Sequence, residues 1–253
     1  MFANERQNQI FEMVQNKGAI STGSLVEEFG VSIETIRRDL LAMEQKGKLT
    51  RVHGGAVAKT NTKPFFSLQK RNKENISLKN CLSKKAADFV LDGDTIAIDA
   101  GSTAIAFAEA LKEKHISLTV VTYSLDVFHI LSPNKNFCVI LCGGYYMENE
   151  NAFYGALTID TLQKIHVQKA FICPSAVSLK GGICDYQNDL FQIQEKLFEC
   201  SDEIYILADS SKFEKKALLK HDDMKTEYTY VTDSDLSEEL QRIYKKNNIN
   251  IFI

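Results

Sequence analysis

Two groups of residues in this 253-residue chain have the types and spacing to do chemistry. The first is Ser32, Thr35, Arg37 and Arg38, followed by Arg51, His53 and Gly54. Adjacent arginines near the start of a short helix present forked guanidinium groups, which reach guanine edges or phosphates when the helix lies in a major groove. Thr35, Arg37 and Arg38 would read or clamp that groove, and Ser32 would donate to a phosphate. Arg51 and His53, with Gly54 beside them, would meet the DNA backbone or minor groove. The second group is Asp99-Ala100-Gly101-Ser102-Thr103. There, glycine lets the backbone approach a ligand, and Ser102, Thr103 and the free amides of a helix start can cradle a phosphate. Asp99 would repel the phosphate and so would accept hydrogen bonds from hydroxyls elsewhere on the ligand. Thr122, Tyr123, Gly143, Gly144 and Lys212 fall in similar turns, Lys212 as the phosphate counter-charge. The alternatives are a solvated helix face, an ordinary glycine turn and a surface lysine, and the residues alone leave them open.

The elements that must position the first group follow from periodicity. Ser32 predicts a helix N-cap, and Ile33, Ile36, Leu40 and Met43 recur at helical spacing, so they form the buried face. Residues 21–29 predict a shorter helix, with Gly30 placed for a left-handed turn between the two. Residues 5–15 predict a bracing helix, with Ile10, Met13 and Val14 inward. After Gly47, Leu49, Arg51 and Val52 alternate into His53-Gly54-Gly55 as a small wing would, with Ile20 as a pairing strand. The segments Phe29-Gly30-Val31-Ser32, Thr35-Ile36-Arg37-Arg38-Asp39-Leu40 and Arg51-Val52-His53-Gly54-Gly55-Ala56 together resemble the winged helix-turn-helix domain of the DeoR family of bacterial transcriptional regulators.

Residues 58–64 have no apolar period and end in one of three prolines, which marks a linker. The expected organisation is a reading domain over 1–57, a connector over 58–73 and a second domain over 74–253. One long helix is expected over 65–91. From there short apolar strands (95–98, 118–122, 137–142, 170–173 and 204–208) alternate with helices (103–112, 125–131, 156–164 and 190–200). Such alternation predicts a parallel sheet covered on both faces, with ligands beyond the carboxyl ends of its strands. Charge is uneven: residues 1–58 hold seven basic and seven acidic residues, 59–85 eight and one, and 86–253 fifteen and twenty-five. That leaves a balanced head, a basic connector whose alternative reading is a solvated helix face, and an acidic body.

Six cysteines lie scattered without CxxC spacing or nearby histidines, so they read as reduced thiols, and no metal is expected. Cys138 and Cys142, four apart in a predicted strand, should share a face. No apolar run approaches the roughly 20 residues that span a bilayer, and a cytoplasmic protein without membrane partners is expected.

The second domain has its own resemblance. Asp92-Gly93-Asp94-Thr95, Asp99-Ala100-Gly101-Ser102-Thr103, Gly143-Gly144 and Ala208-Asp209-Ser210-Ser211-Lys212-Phe213 resemble the sensor domain of the same DeoR family. The resemblance implies an α/β protein: an N-terminal winged helix-turn-helix domain followed by a Rossmann-like α/β sensor domain related to ribose-5-phosphate isomerase. It also implies a regulator, usually a repressor of sugar or related catabolic genes, without a cofactor. Its partners would be a double-stranded DNA operator, a phosphorylated sugar or polyol effector and further copies of the chain, as a homodimer or higher homo-oligomer. Three departures alter the sensor: Thr122-Tyr123-Ser124 where the family usually reads Thr-Asn-Ser, 173–178 in place of a glycine-rich turn ending in aspartate, and Gln194-Glu195 where many relatives carry a basic pair. An isomerase-like enzyme is the alternative, but it needs a carboxylate base. The loop after 170–173 offers only Ser175 and Ser178, leaving Asp185 or Asp189 to substitute. A protein-interaction adaptor is a third reading, disfavoured by the arginines of the head.

Overall fold

The computed structural model describes residues 3–17, 19–52, 54–57 and 67–253. The chain divides into two compact units, Met1–Phe65 and Phe66–Ile253.

In the first unit, α1 (Ala3–Lys17), β1 (Ala19–Ser21), α2 (Thr22–Phe29), α3 (Ile33–Gln45), β2 (Thr50–Val52) and β3 (Gly55–Val57) follow in order. The strands form an antiparallel sheet ordered β1-β3-β2. Ser21 and Ser32 cap α2 and α3 through their hydroxyls, and Gly30 ends α2 in the left-handed conformation. A Cβ on Gly55 would lie 2.1 Å from the Ile20 carbonyl oxygen, so only glycine lets β3 lie this close to β1. Ile10, Leu25, Ile36, Leu40, Met43 and Leu49 meet in one core. Ile33 does not join them: it is 50% exposed, because as the first residue of α3 it overhangs the end of the apolar stripe. Arg6 and Asp39, both buried, tie α1 to α3 through Arg6 Nε to Asp39 Oδ2 at 2.6 Å, and Gln7 donates to the other oxygen at 2.9 Å.

The second unit opens with α4 (Leu68–Arg71) and α5 (Ile76–Ala87). Its first half continues through β4 (Thr95–Ile98), α6 (Ser102–Lys112), β5 (Leu118–Thr122), α7 (Leu125–Leu131), β6 (Phe137–Leu141), β7 (Tyr145–Met147), β8 (Ala152–Tyr154) and α8 (Ala156–Leu162). Then come β9 (Val167–Ile172), β10 (Ala176–Ser178), β11 (Gly182–Asp185), α9 (Asn188–Glu199), β12 (Ser201–Leu207), β13 (Leu219–Asp222), β14 (Thr229–Val231), α10 (Glu238–Lys246) and β15 (Asn250–Phe252). Seven strands form one parallel sheet ordered β15-β14-β12-β9-β4-β5-β6.

Alternate residues of each strand enter opposite cores. Ile96, Ile98, Val120, Phe171, Tyr205 and Leu207 pack with α5, α6 and α7, whereas Ala97, Val121, Ala170, Ile172, Ile204 and Ile206 pack with α8, α9 and α10. Burial on both sides explains the unbroken apolar strands of the sequence. The chain runs outward from β4 through β5 to β6, then returns to place β9 on the other side of β4. The carboxyl ends of β4 and β9 therefore flank the topological switch point, where ligands of open α/β sheets bind.

Three expectations need correction. The single helix over 65–91 is two helices, broken where Asn75 takes a left-handed conformation with φ of 52°; residues 65 and 66 lie outside the described residues. Because the second unit begins at Phe66, α4 belongs to the body although its residues fell within the expected 58–73 connector; 58–66 are likewise not described. Cys138 is exposed and Cys142 buried, because β6 ends at Leu141 and the alternation stops before Cys142. Among the described residues no helix is long and apolar enough to cross a membrane.

Candidate DNA interface and effector site

The head presents its polar groups on the exposed side of α3. Ser32 Oγ accepts from the Thr35 amide at 3.2 Å and lies 2.9 Å from Thr35 Oγ1, so the cap holds both hydroxyls together at the helix start. Arg37 and Arg38 are exposed, and Arg37 sits 3.9 Å from Glu34 in a solvated i,i+3 pair that adds little stability. Arg38 makes no ion pair among the described residues. In the wing, the Arg51 amide donates to Glu44 Oε1 at 2.8 Å and its guanidinium lies 4.0 Å from the same carboxylate, which ties β2 to the end of α3. The Gly54 carbonyl accepts from the Thr22 amide at 2.8 Å and fastens the wing turn to α2. His53 lies outside the described residues.

In the body, the β4 turn leads into α6 through Gly101, whose φ is 102° and ψ 179°. Besides permitting that backbone, the missing Cβ makes room for a cation: Arg71 Nη1 lies 3.2 Å from where the Cβ would be. Ser102 and Thr103 are buried at the helix start, and Thr103 Oγ1 has no hydrogen-bond partner among the described residues. Lys79, only 6% exposed, donates to the Arg71 carbonyl at 2.5 Å and the Glu74 carbonyl at 2.6 Å. Burial, and after it the nearby charge of Lys212, brings the Lys79 pKa down to about 8. Lys212 donates to the Pro174 carbonyl at 2.8 Å. Asn75 bridges to the same loop, donating to Asp209 Oδ1 at 3.2 Å and Ser211 Oγ at 3.0 Å. Arg71, Lys79 and Lys212 thus gather positive charge beside the positive end of α6, an arrangement that attracts a phosphate.

Other expected residues are committed elsewhere. Asp99 is fully buried: Oδ1 accepts from the Ala100 amide at 2.7 Å and from the Tyr123 hydroxyl, and Oδ2 accepts from the Cys173 amide at 2.8 Å and Gln194 Nε2 at 2.9 Å. With two donors on each oxygen, it has no capacity left for ligand hydroxyls, so that expectation is corrected; Asp99 anchors the turn from beneath. Burial raises its pKa, and the four donors oppose the rise. Tyr123 is buried with its hydroxyl on Asp99, and Thr122 Oγ1 donates to the Ile98 carbonyl at 2.9 Å and accepts from the Ser124 amide at 3.1 Å. Both belong to the interior rather than to an open ligand surface. Gly143 accepts from Thr158 Oγ1 at 3.1 Å through its carbonyl but is exposed, with open space where a Cβ would lie, whereas a Cβ on Gly144 would fall 2.2 Å from the same hydroxyl, so Gly144 serves packing against α8.

The three sequence departures meet in one place. Tyr123, Cys173 and Gln194 all donate to Asp99, and Gln194 continues to Asp185 Oδ2 at 3.2 Å. Gln194 Oε1 faces His221 Nε2 at 2.9 Å; His221 stacks on Phe191 with 4.1 Å between ring centroids, its Nδ1 3.0 Å from Glu195. Asp185 also accepts from Ser175 Oγ at 2.7 Å and the Tyr186 amide at 2.8 Å, and Asp189 is exposed.

Known proteins bear on both units. The family model of the DeoR-like helix-turn-helix domain matches residues 6–62, and that of the DeoR C terminal sensor domain matches residues 74–234. The chain belongs to the DeoR family. The L-fucose operon activator of Haemophilus influenzae is 34% identical over 97% of this chain and 98% of its own length. The lactose phosphotransferase system repressor of Lactococcus lactis is 34% identical over 92% of each. Among solved structures, ribose 5-phosphate isomerase A from Neisseria gonorrhoeae is similar over 56% of this chain and 54% of its own, with 18% identity and a TM-score of 0.42.

As a DeoR-family member the chain is a DNA-binding transcriptional regulator with a sensor body, and not an enzyme. Sequence reasoning missed Arg71, Lys79 and Asn75. The available signal was the basic run over 59–85, in which Lys79 is buried, Lys70, Arg71 and Lys85 are half-buried and Lys73 and Lys84 are exposed; Lys59 and Lys63 lie outside the described residues.

Proposed function

We propose that this regulator represses genes for the use of a sugar or polyol, and that a phosphorylated form of that compound changes its grip on the operator. Residues 1–57 carry the reading head, with α3 in the major groove and the wing against the backbone or minor groove; residues 74–253, with α4 ahead of them, carry the sensor. One winged helix covers little DNA, so two copies of the chain bind half-sites about one helical turn, or a multiple of it, apart. The observation that carries the effector reading is the gathering of Arg71, Lys79 and Lys212 at the start of α6, beside a buried Thr103 hydroxyl that has no hydrogen-bond partner among the described residues. An effector alters operator affinity only through different affinities for two arrangements of the paired heads. One observation favours activation instead: a relative 34% identical over nearly the whole chain is named an operon activator.

The test is titration of a fragment carrying the chain's own promoter, alone and with sugar and polyol phosphates, beside thermal shifts of the full chain. An ester that both stabilises the protein and changes operator affinity supports the reading. Sequence-blind DNA binding that no ester alters would overturn it.

A further inference from the structure

One side chain of the anion site is already engaged by a carboxylate of the body. Arg71 Nη2 pairs with Glu150 Oε2 across 79 positions of chain, and Glu150 is only 1% exposed. Apart from Arg71, its one side-chain donor among the described residues is Gln187, at a long 3.4 Å. Burial pushes the Glu150 carboxyl up, the charge of Arg71 pulls it down, and Asp185 and Asp99 oppose ionisation further. Arg71 is therefore the group that favours the charged form of Glu150, against burial and acidic neighbours that disfavour it. The same guanidinium, through Nη1, lies against the Gly101 turn where a phosphate would sit.

We infer that Glu150 is the internal competitor of the effector: its carboxylate occupies Arg71 in the free body, and a ligand must take Arg71 from it. This rests on the anion-site reading above and adds a selection rule to it. A monoanionic carboxylate, such as that of a sugar acid, offers Arg71 no more than Glu150 already does and must also be desolvated. A phosphate monoester dianion offers more charge and further acceptor oxygens for Lys79, Lys212 and the α6 amides, so it can win the exchange. Glu150 thereby sets both affinity and ligand class. The exchange also changes what holds α4, the first helix of the body, since Arg71 is its last residue.

The test compares the full chain with Glu150→Gln and Glu150→Asp, titrating inorganic phosphate and, separately, formate, and reading thermal shift and calorimetry. Removing the competitor should tighten phosphate binding at least about fivefold in Glu150→Gln, the lower end of ordinary coupling between sites. Glu150→Asp, whose shorter side chain holds Arg71 less well, should fall between the two and keeps the test valid if Glu150→Gln folds poorly. Formate should stabilise Glu150→Gln by replacing the missing carboxylate, and should leave the unsubstituted chain unmoved. Equal phosphate affinity in all three proteins, with no formate response, removes the role of Glu150 and leaves the anion site standing. No phosphate response in any of them removes the anion site itself, and this inference with it.

Discussion

The reading head and the sensor body use their polar residues in opposite ways. On α3, Arg37 and Arg38 project into solvent, and the buried polar pair of that unit, Arg6 with Asp39, is structural. In the body, the residues that looked most like ligand contacts, Asp99, Thr122 and Tyr123, are buried and bonded to one another or to the backbone, while cations from α4, α5 and a distant loop gather above them. DNA is an external, highly charged surface that a helix face can meet without rearrangement. A small anion must be surrounded, and surrounding it takes pieces of chain far apart in sequence.

The contrast can be broken at several points. The largest effect is expected from Asp39→Ala, which leaves Arg6 charged and buried. It should destabilise the head by about 3–5 kcal/mol, read as increased amide exchange confined to the first unit and as lost operator binding. Unchanged exchange there would mean that the pair is ornamental. Tyr123→Phe removes a donor from buried Asp99 and should cost about 1–3 kcal/mol of body stability in denaturant melts, with operator affinity of the folded protein preserved. Were Tyr123 instead a ligand contact, stability would hold and only effector response would fall.

Arg38→Ala should weaken operator binding by about 1–3 kcal/mol if its fork engages a base, with a melting temperature close to that of the unsubstituted chain. Arg37→Ala should cost less and mainly flatten the salt dependence, because a phosphate contact is sequence-blind. The smallest effect concerns pH. Lys79, facing Lys212, Arg71, Asp209 and Glu74, has its pKa lowered to about 8, so it is charged below that value and neutral above it. Between pH 7 and 9 phosphate affinity should fall about tenfold as this cation is lost, and Lys79→Met should bind weakly with that pH dependence removed. The sign for stability is opposite: the unfolded chain holds the Lys79 proton up to a higher pH than the folded one, so the contribution of Lys79 to stability rises with pH across the interval from about 8 to 10.5.

Much of the architecture was legible in the residues because it is local. Ser21 and Ser32 cap helices, Gly30 turns between them, and unbroken apolar runs become strands buried on both faces. The misreadings arose where neighbours in space overrule neighbours in sequence. Ile33 has the right spacing for the core yet overhangs it, and Asn75 breaks a helix that periodicity would continue, with its amide taken by Asp209 and Ser211.

By itself, the order of residues determined that a helix with two outward arginines precedes a wing and that a parallel α/β body follows. Each of those outcomes depends on spacing within a dozen positions. Only the tertiary structure decided that Asp99 points inward to Tyr123 and Gln194 rather than outward to a ligand, and that Arg71, Lys79 and Lys212 share one site with Glu150 as a rival. The physical reason is that burial and hydrogen-bond capacity belong to a place in the fold: a carboxylate is a ligand contact or an anchor according to which donors reach it first.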